Sequence, residues 1–237
     1  MEEEYKDYPI ISKSDHSLPH REGGGRVLLS LSNASLAFSD RALFSGLDLT
    51  IDRGQLVGVT GESGTGKTSL LRAIVGVIPI TSGSIEVCGL PLDVHHIHEI
   101  RQKIAYVPQE LQPAVEKGGD LISLTHDLSY NLTLHQTRFL PVLMDELAVD
   151  VSFYGMPAAQ LSGGQRQRML LMAALLLPKP VLLLDEPTSA LDEENSRRVA
   201  LVLQRACHDE GRAALVVSHD PVLLSYCDRI ITLPDNS

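Results

Sequence analysis

The 237-residue sequence has no tryptophan, and only 4% of its residues are aromatic. A platform that stacks successive bases on exposed rings is therefore not expected. Its cysteines are few and odd in number, Cys88, Cys207 and Cys227, and none forms a Cys-x-x-Cys pair. That usage offers no disulfide framework and suggests reduced thiols in a cytosolic protein. No stretch approaches the length needed to cross a bilayer. The most apolar part, Met169 to Leu177, stops at Pro178-Lys179-Pro180 and reads as a buried helix. The N-terminus lacks the basic-then-apolar order of a secretory signal. An excess of positive charge is missing too. The formal net charge is −10 and the pI about 5.3, so no general attraction for nucleic acid or for an anionic membrane surface is expected. What the chain does have is 43% hydrophobic residues, enough for a substantial core in one large domain or two small ones.

Residues 1–25 mix charged residues with Pro, Ser and His and end in Gly23-Gly24-Gly25. They can bury little, and a mobile tail is expected. From Arg26 onward strand signals begin. Leu47 to Ile51 and Ser84 to Cys88 alternate apolar and polar residues, as half-exposed strands do. Between them Gln55 to Thr60 reads as a continuous buried strand. Alternating strands around a buried one suggest an antiparallel β layer against a parallel α/β core.

That buried strand runs into Gly61-Glu62-Ser63-Gly64-Thr65-Gly66-Lys67-Thr68, and a helical run beginning at Ser69 follows. Gly, four residues, then Gly-Lys-Thr is the P-loop, or Walker A, pattern. Glycines let the backbone curl closely around phosphate oxygens. The helix behind the loop points its free N–H groups and its positive dipole end at whatever the loop holds. Lys67 would supply a point charge to the β- and γ-phosphates, and the Thr68 hydroxyl would hold Mg²⁺.

Asp93 to Lys103 carries His95, His96 and His98. Adjacent imidazoles diverge on a helix or a strand, so a solvated stretch is expected there rather than a metal site. Ile104 to Val107 is a short strand leading to Pro108 and Gln109. Residues 110–159 read as a mainly helical insertion, with Arg138 to Val149 one helical piece. Pro113, Gly118-Gly119, Pro141 and Pro157 break it. Beyond it, Leu161-Ser162-Gly163-Gly164-Gln165 precedes a long helix to Leu177. Val181 to Leu184 is a buried strand that ends in Asp185-Glu186. Ser189 to Asp192 is a turn, Glu193 to Glu210 an amphipathic helix closed by Gly211, and Ala214 to Val217 a buried strand ending at Ser218-His219-Asp220. Ile230 to Leu233 is the last strand. In open parallel sheets, ligands bind at the carboxyl ends of the strands. The loaded turns after Thr60, Leu184 and Val217 all fall at such ends, which argues for one shared site.

Four apolar residues followed by Asp-Glu form the Walker B pattern. Asp185 could reach Mg²⁺, and Glu186 could orient or deprotonate an attacking water. A buried strand rarely ends in two adjacent carboxylates unless cation or proton chemistry compensates their repulsion and desolvation.

With Leu161 to Gln165 between Walker A and Walker B, the chain resembles the nucleotide-binding ATPase of ABC transporters over about residues 26–234. The resemblance implies an α/β P-loop NTPase fold with a mainly parallel sheet core, an antiparallel β subdomain and an inserted helical subdomain at about 110–160. It implies ATP and Mg²⁺ as cofactors and ATP hydrolysis as the activity. Carried over position by position, Phe38 falls where an aromatic ring stacks on adenine, and the alternative for it is an ordinary core aromatic. Gln109 matches the glutamine that senses Mg²⁺ and γ-phosphate. Ser162, Gly163, Gly164 and Gln165 would face the γ-phosphate bound to an opposite subunit. Asp192 matches an aspartate that communicates across the dimer, and His219 matches the switch histidine. The partners implied are a second like chain and separate integral-membrane permeases, with no nucleic acid. The place implied is the cytoplasmic face of a membrane. A soluble ABC ATPase in a non-transport process such as iron–sulfur assembly is the alternative. Thr188 to Asn195 and the end near Leu233 are similar to small stand-alone ATPases, some of them of metal exporters. The stretch Glu110 to Asp127 departs from the usual short pattern after that glutamine, and no regulatory domain is expected beyond Leu233.

Overall fold

The computed structural model describes residues 27–38, 41–109, 115–126 and 134–234, and only the backbone at 123–126 and 134–139. The tail expected over residues 1–25 lies outside the described residues, as do 110–114 and 127–133 of the insertion.

The chain opens with two long strands, β1 (Val27–Phe38) and β2 (Arg41–Asp52), paired antiparallel. Then come β3 (Leu56–Thr60) and α1 (Lys67–Ile74), either side of the P-loop. β4 (Ser82–Val87) and β5 (Leu90–Pro91) return to the first pair and complete a four-stranded sheet in the order β2-β1-β4-β5. α2 (Ile97–Lys103) leads to β6 (Ile104–Val107). The insertion holds α3 (Gly118–His126), α4 (Leu134–Glu146), α5 (Ser152–Gly155) and a short 3₁₀ turn at Ala158–Gln160. α6 (Gly163–Leu176), β7 (Val181–Asp185), α7 (Glu193–His208), β8 (Ala213–Val217), α8 (Pro221–Leu224) and β9 (Arg229–Thr232) follow. β6, β7, β8, β3 and β9 lie side by side in that order, all parallel.

The parallel sheet is covered on both faces, which is why its strands read as unbroken apolar runs. Val57, Val59, Val181, Leu183, Leu215 and Val217 join α1 and the antiparallel sheet in one core cluster. Their neighbours Leu56, Leu182, Leu184, Ala214 and Val216 point the other way, into a cluster with α6, α7 and the inserted helices. Leu183 is fully buried at the centre, and truncating such a leucine to alanine costs about 2–5 kcal/mol.

Of the expected breaks in the insertion, Gly118-Gly119 falls at the start of α3, and a Cβ on Gly118 would stand 2.1 Å from the Phe153 carbonyl oxygen. The glycine is there for close approach of α5. Pro141 sits inside α4, exposed on its outer side, while Leu143 on the same helix and Leu147 just beyond its end are buried in the core. That burial offsets the missing N–H and ring clash of an interior proline.

Candidate nucleotide-binding site

Four neighbouring strands deliver their carboxyl ends to one cavity of about 610 Å³. β3 brings the P-loop, β6 brings Gln109, β7 brings Asp185 and Glu186, and β8 brings His219. Phe38, Ser63, Gly64, Gly66, Lys67, Thr68 and Ser69 line the same cavity. Phe38 is 50% exposed, so it is not a core aromatic. Leu43 and Val217 add apolar lining that the sequence did not single out.

The P-loop closes on itself. Lys67 Nζ donates to the carbonyl oxygens of Gly61 and Glu62, both at 2.7 Å, and Thr65 Oγ1 donates to Glu62 O at 2.9 Å. Gly66 caps α1 in the left-handed region, at φ 92°, and a Cβ there would stand 2.8 Å from Leu43 Cβ. Gly61 has φ 148°, and a Cβ on it would stand 2.9 Å from Leu233 O. Burial lowers the Lys67 pKa, with the charges of Glu186 and Asp185 opposing the shift.

Thr68 Oγ1 donates to Asp185 Oδ1 at 3.2 Å. Asp185 is 1% exposed, and its other oxygen, Oδ2, is buried without a partner. Desolvation raises its pKa. An unpartnered buried carboxylate oxygen beside a hydroxyl, with the Gln109 amide lining the same cavity, offers oxygen donors only. That is the set a hard divalent cation such as Mg²⁺ takes, so the residues present fit one.

Glu186 has φ 50°, a left-handed backbone that costs a non-glycine residue about 1–2 kcal/mol. Two hydrogen bonds hold it there: its N–H donates to Val217 O at 2.9 Å, and its carbonyl accepts from Gln167 Nε2 at 2.6 Å. Its carboxylate faces His219, with the His219 backbone N–H 3.4 Å from Oε2 and Nε2 3.7 Å from Oε1. Desolvation raises the Glu186 pKa, opposed first by the His219 charge.

Ser162 to Gln165 and Asp192 lie elsewhere. Ser162 caps α6: its Oγ accepts from the Gln165 N–H at 3.1 Å, while Gln165 Oε1 accepts from the Ser162 N–H at 2.8 Å. A Cβ on Gly164 would stand 2.8 Å from Ala190 O, so this turn presses on the loop that ends at Asp192. Asp192 caps α7, its Oδ1 accepting from Asn195 N at 2.9 Å and Nδ2 at 2.8 Å, and these bonds lower its pKa. None of Ser162, Gly163, Gly164, Gln165 and Asp192 lines the cavity of their own chain.

Two residues that the sequence reading passed over join these parts. Gln167 holds Glu186 as above and accepts from the Ala190 N–H at 3.2 Å. Arg168 Nη1 donates to Leu147 O at 2.9 Å, Ala148 O at 2.7 Å and Asn195 Oδ1 at 3.0 Å, tying the end of α4 to the cap of α7. Only their closeness to the Ser-Gly-Gly turn could have flagged them. The His95–His98 stretch binds locally, with His96 Nδ1 2.8 Å from Asp93 Oδ1. Among the described residues no cluster of His, Cys, Asp and Glu could hold a metal ion.

The model of the family described as ABC transporter matches residues 44–189. The chain belongs to the ABC transporter family. It is one of that family's ATP-binding cassettes, and the cassette is an ATPase. It is 33% identical to the zinc import ATP-binding protein ZnuC of Ruegeria sp. (strain TM1040), over 87% of this chain and 77% of that protein. It is also 33% identical to the cobalamin import ATP-binding protein BtuD of Halobacterium salinarum, over 88% of this chain but only 53% of the relative. With the transmembrane transporter verA of Clonostachys rogersoniana it shares 32% identity, and it spans 16% of that protein. The cassette MJ0796, solved as a dimer, superposes with a TM-score of 0.77 at 25% identity, over 88% of this chain and 95% of that one. A second MJ0796 dimer, in a post-hydrolysis state bound to ADP and Pi, gives 0.75 at 26%. No helix among the described residues is long and apolar enough to cross a membrane.

Proposed function

We propose that this cassette pairs with a second like chain around two Mg-ATP and powers solute movement through separate permease subunits at the cytoplasmic face of a membrane. One observation carries the reading: the cavity and the Ser162 cap, which the reading assigns to one phosphate site, lie apart within the chain. The P-loop, Asp185, Glu186, Gln109 and His219 share the cavity, whereas the Ser162 cap stands exposed outside it. A second copy, turned about a two-fold axis, can bring its own cap to that cavity, as an isologous dimer requires.

In this reading Lys67 and the P-loop N–H groups bind the β- and γ-phosphates, and Phe38 stacks on the base. Thr68, Asp185 and Gln109 are the residues that would hold Mg²⁺, which when bound neutralises phosphate charge. Glu186 takes the proton of the attacking water, and its raised pKa suits a base working near neutral pH. His219 orients that carboxylate. Catalysis is then positioning and charge stabilisation, as for other phosphoryl transfers. The relatives named for zinc and cobalamin import support a transport role without fixing a cargo.

The test is Glu186→Gln with Mg-ATP, followed by light scattering on a sizing column. The variant should bind nucleotide and accumulate as a dimer. A monomer at saturating ATP would count against the shared site.

A further inference from the structure

Arg41 stands where the P-loop meets the hairpin of β1 and β2. The register pairs Ala37 with Ala42 and Leu36 with Phe44, so Leu43 is an extra residue on β2. Such a bulge turns side chains toward a site. Here it lays the start of β2 over the P-loop: Leu43 packs on Gly66, and Arg41 Nη2 lies 3.7 Å from where a Cβ on Gly64 would be. Gly64 lines the cavity, and so does Phe38, the cross-strand partner of Arg41. Arg41 is exposed, and among the described residues no carboxylate pairs with it.

The charge balance of the cavity gives this guanidinium a use. Asp185 and Glu186 line it beside a single lysine, Lys67, whose ammonium already donates to two loop carbonyls. A nucleoside triphosphate brings several more negative charges. We propose that Arg41 is a second cationic contact for the polyphosphate, reaching over Gly64 from the outer lip of the P-loop while Lys67 works from its inner side. The planar fork of a guanidinium suits phosphate oxygens, and at this lip it needs no desolvation before the ligand arrives. The inference rests on the reading of the cavity as the nucleotide site.

Calorimetry on the full chain with AMP-PNP and with AMP tests it. Arg41→Ala should weaken AMP-PNP about tenfold, the scale of one charge-assisted hydrogen bond, and leave AMP within about twofold. Arg41→Lys should recover part of the loss, and the deficit should shrink as salt rises. Equal losses for both ligands would move Arg41 to the base or sugar and overturn the phosphate assignment. An unchanged AMP-PNP affinity in Arg41→Ala, with the wild-type chain binding normally, would overturn it too and leave the nucleotide site standing. Failure of the wild-type chain itself to bind AMP-PNP would instead sink the reading on which the inference rests. Arg41 is exposed on a strand end, so the variant's melting temperature should match the wild type.

Discussion

The P-loop and the Ser162 turn are both glycine-rich starts of helices, yet the fold holds them in opposite ways. The P-loop is tied inward. Lys67 and Thr65 close it on its own carbonyls, Leu43 covers Gly66, and Thr68 reaches Asp185 across the sheet end. The Ser162 turn is tied backward. Its capping box satisfies Ser162 and Gln165 against each other, and Gly164 packs on Ala190, leaving the outer surface of the turn bare. In the proposed dimer the contrast has a use: the loop that grips a ligand is built into its own chain's cavity, and the turn that would act on a neighbour's ligand is finished locally and offered outward. The N–H groups of both helices can receive phosphate, but only the P-loop has a lysine and carboxylates of its own chain beside it.

Variants can break this contrast in descending order of effect. Glu186→Gln should lower turnover by about 10²–10⁴-fold with nucleotide binding kept, as loss of a general base does. Multiple-turnover phosphate release measures it, and near-normal release would remove Glu186 from the chemistry. Lys67→Ala should weaken ATP binding about a hundredfold, since it deletes a cation that makes charge-assisted hydrogen bonds. Wild-type affinity by calorimetry would show that the loop does not hold the phosphates. Ser162→Ala should leave ATP binding to the single chain unchanged and lower turnover about tenfold, the scale of one hydrogen bond to a charged group. It also removes a helix cap worth about 1 kcal/mol, so the melting temperature should fall by about 2–4 °C. A change in monomer affinity as large as that of Lys67→Ala would erase the difference between the two turns. Phe38→Ala should weaken adenine nucleotides about fivefold, the size of a stacking contribution, and no change would take the ring out of the site.

The smallest effect is in pH. Burial raises the Glu186 pKa, so the folded chain holds that proton more tightly than the unfolded one. Stability therefore falls as pH rises from the unfolded toward the folded pKa, and the cost of the bare carboxylate is complete above the folded value. Glu186→Gln should accordingly melt higher than wild type at neutral pH without nucleotide. The gain should vanish as acid protonates the wild-type carboxyl. A gain that persisted unchanged in acid would assign it to relief of the left-handed backbone or to packing instead.

Most of the P-loop half was legible because each of its parts is local. A buried run, a spaced set of glycines and a terminal Asp-Glu pair each announce themselves within a few residues. The inserted helices were legible only coarsely. Gly118 looks like a plain helix boundary until Phe153 is seen against it, and Pro141 looks like a break until it is seen within α4 with Leu143 buried nearby. Gln167 and Arg168 read as ordinary polar positions on a helix, because their partners Glu186, Ala190, Leu147, Ala148 and Asn195 are 19 to 27 residues away in sequence.

By itself the order of residues determined the buried strands, the motifs at their ends and the family, since apolar periodicity and motif spacing are properties of neighbours along the chain. Only the tertiary structure decided that Gln109 joins those strand ends, that Phe38 is exposed at the cavity, that Arg41 overhangs Gly64 and that the Ser162 turn stands apart. Those facts depend on strand order, on a bulge at Leu43 and on which side chains the two cores bury, and such long-range packing leaves no local mark.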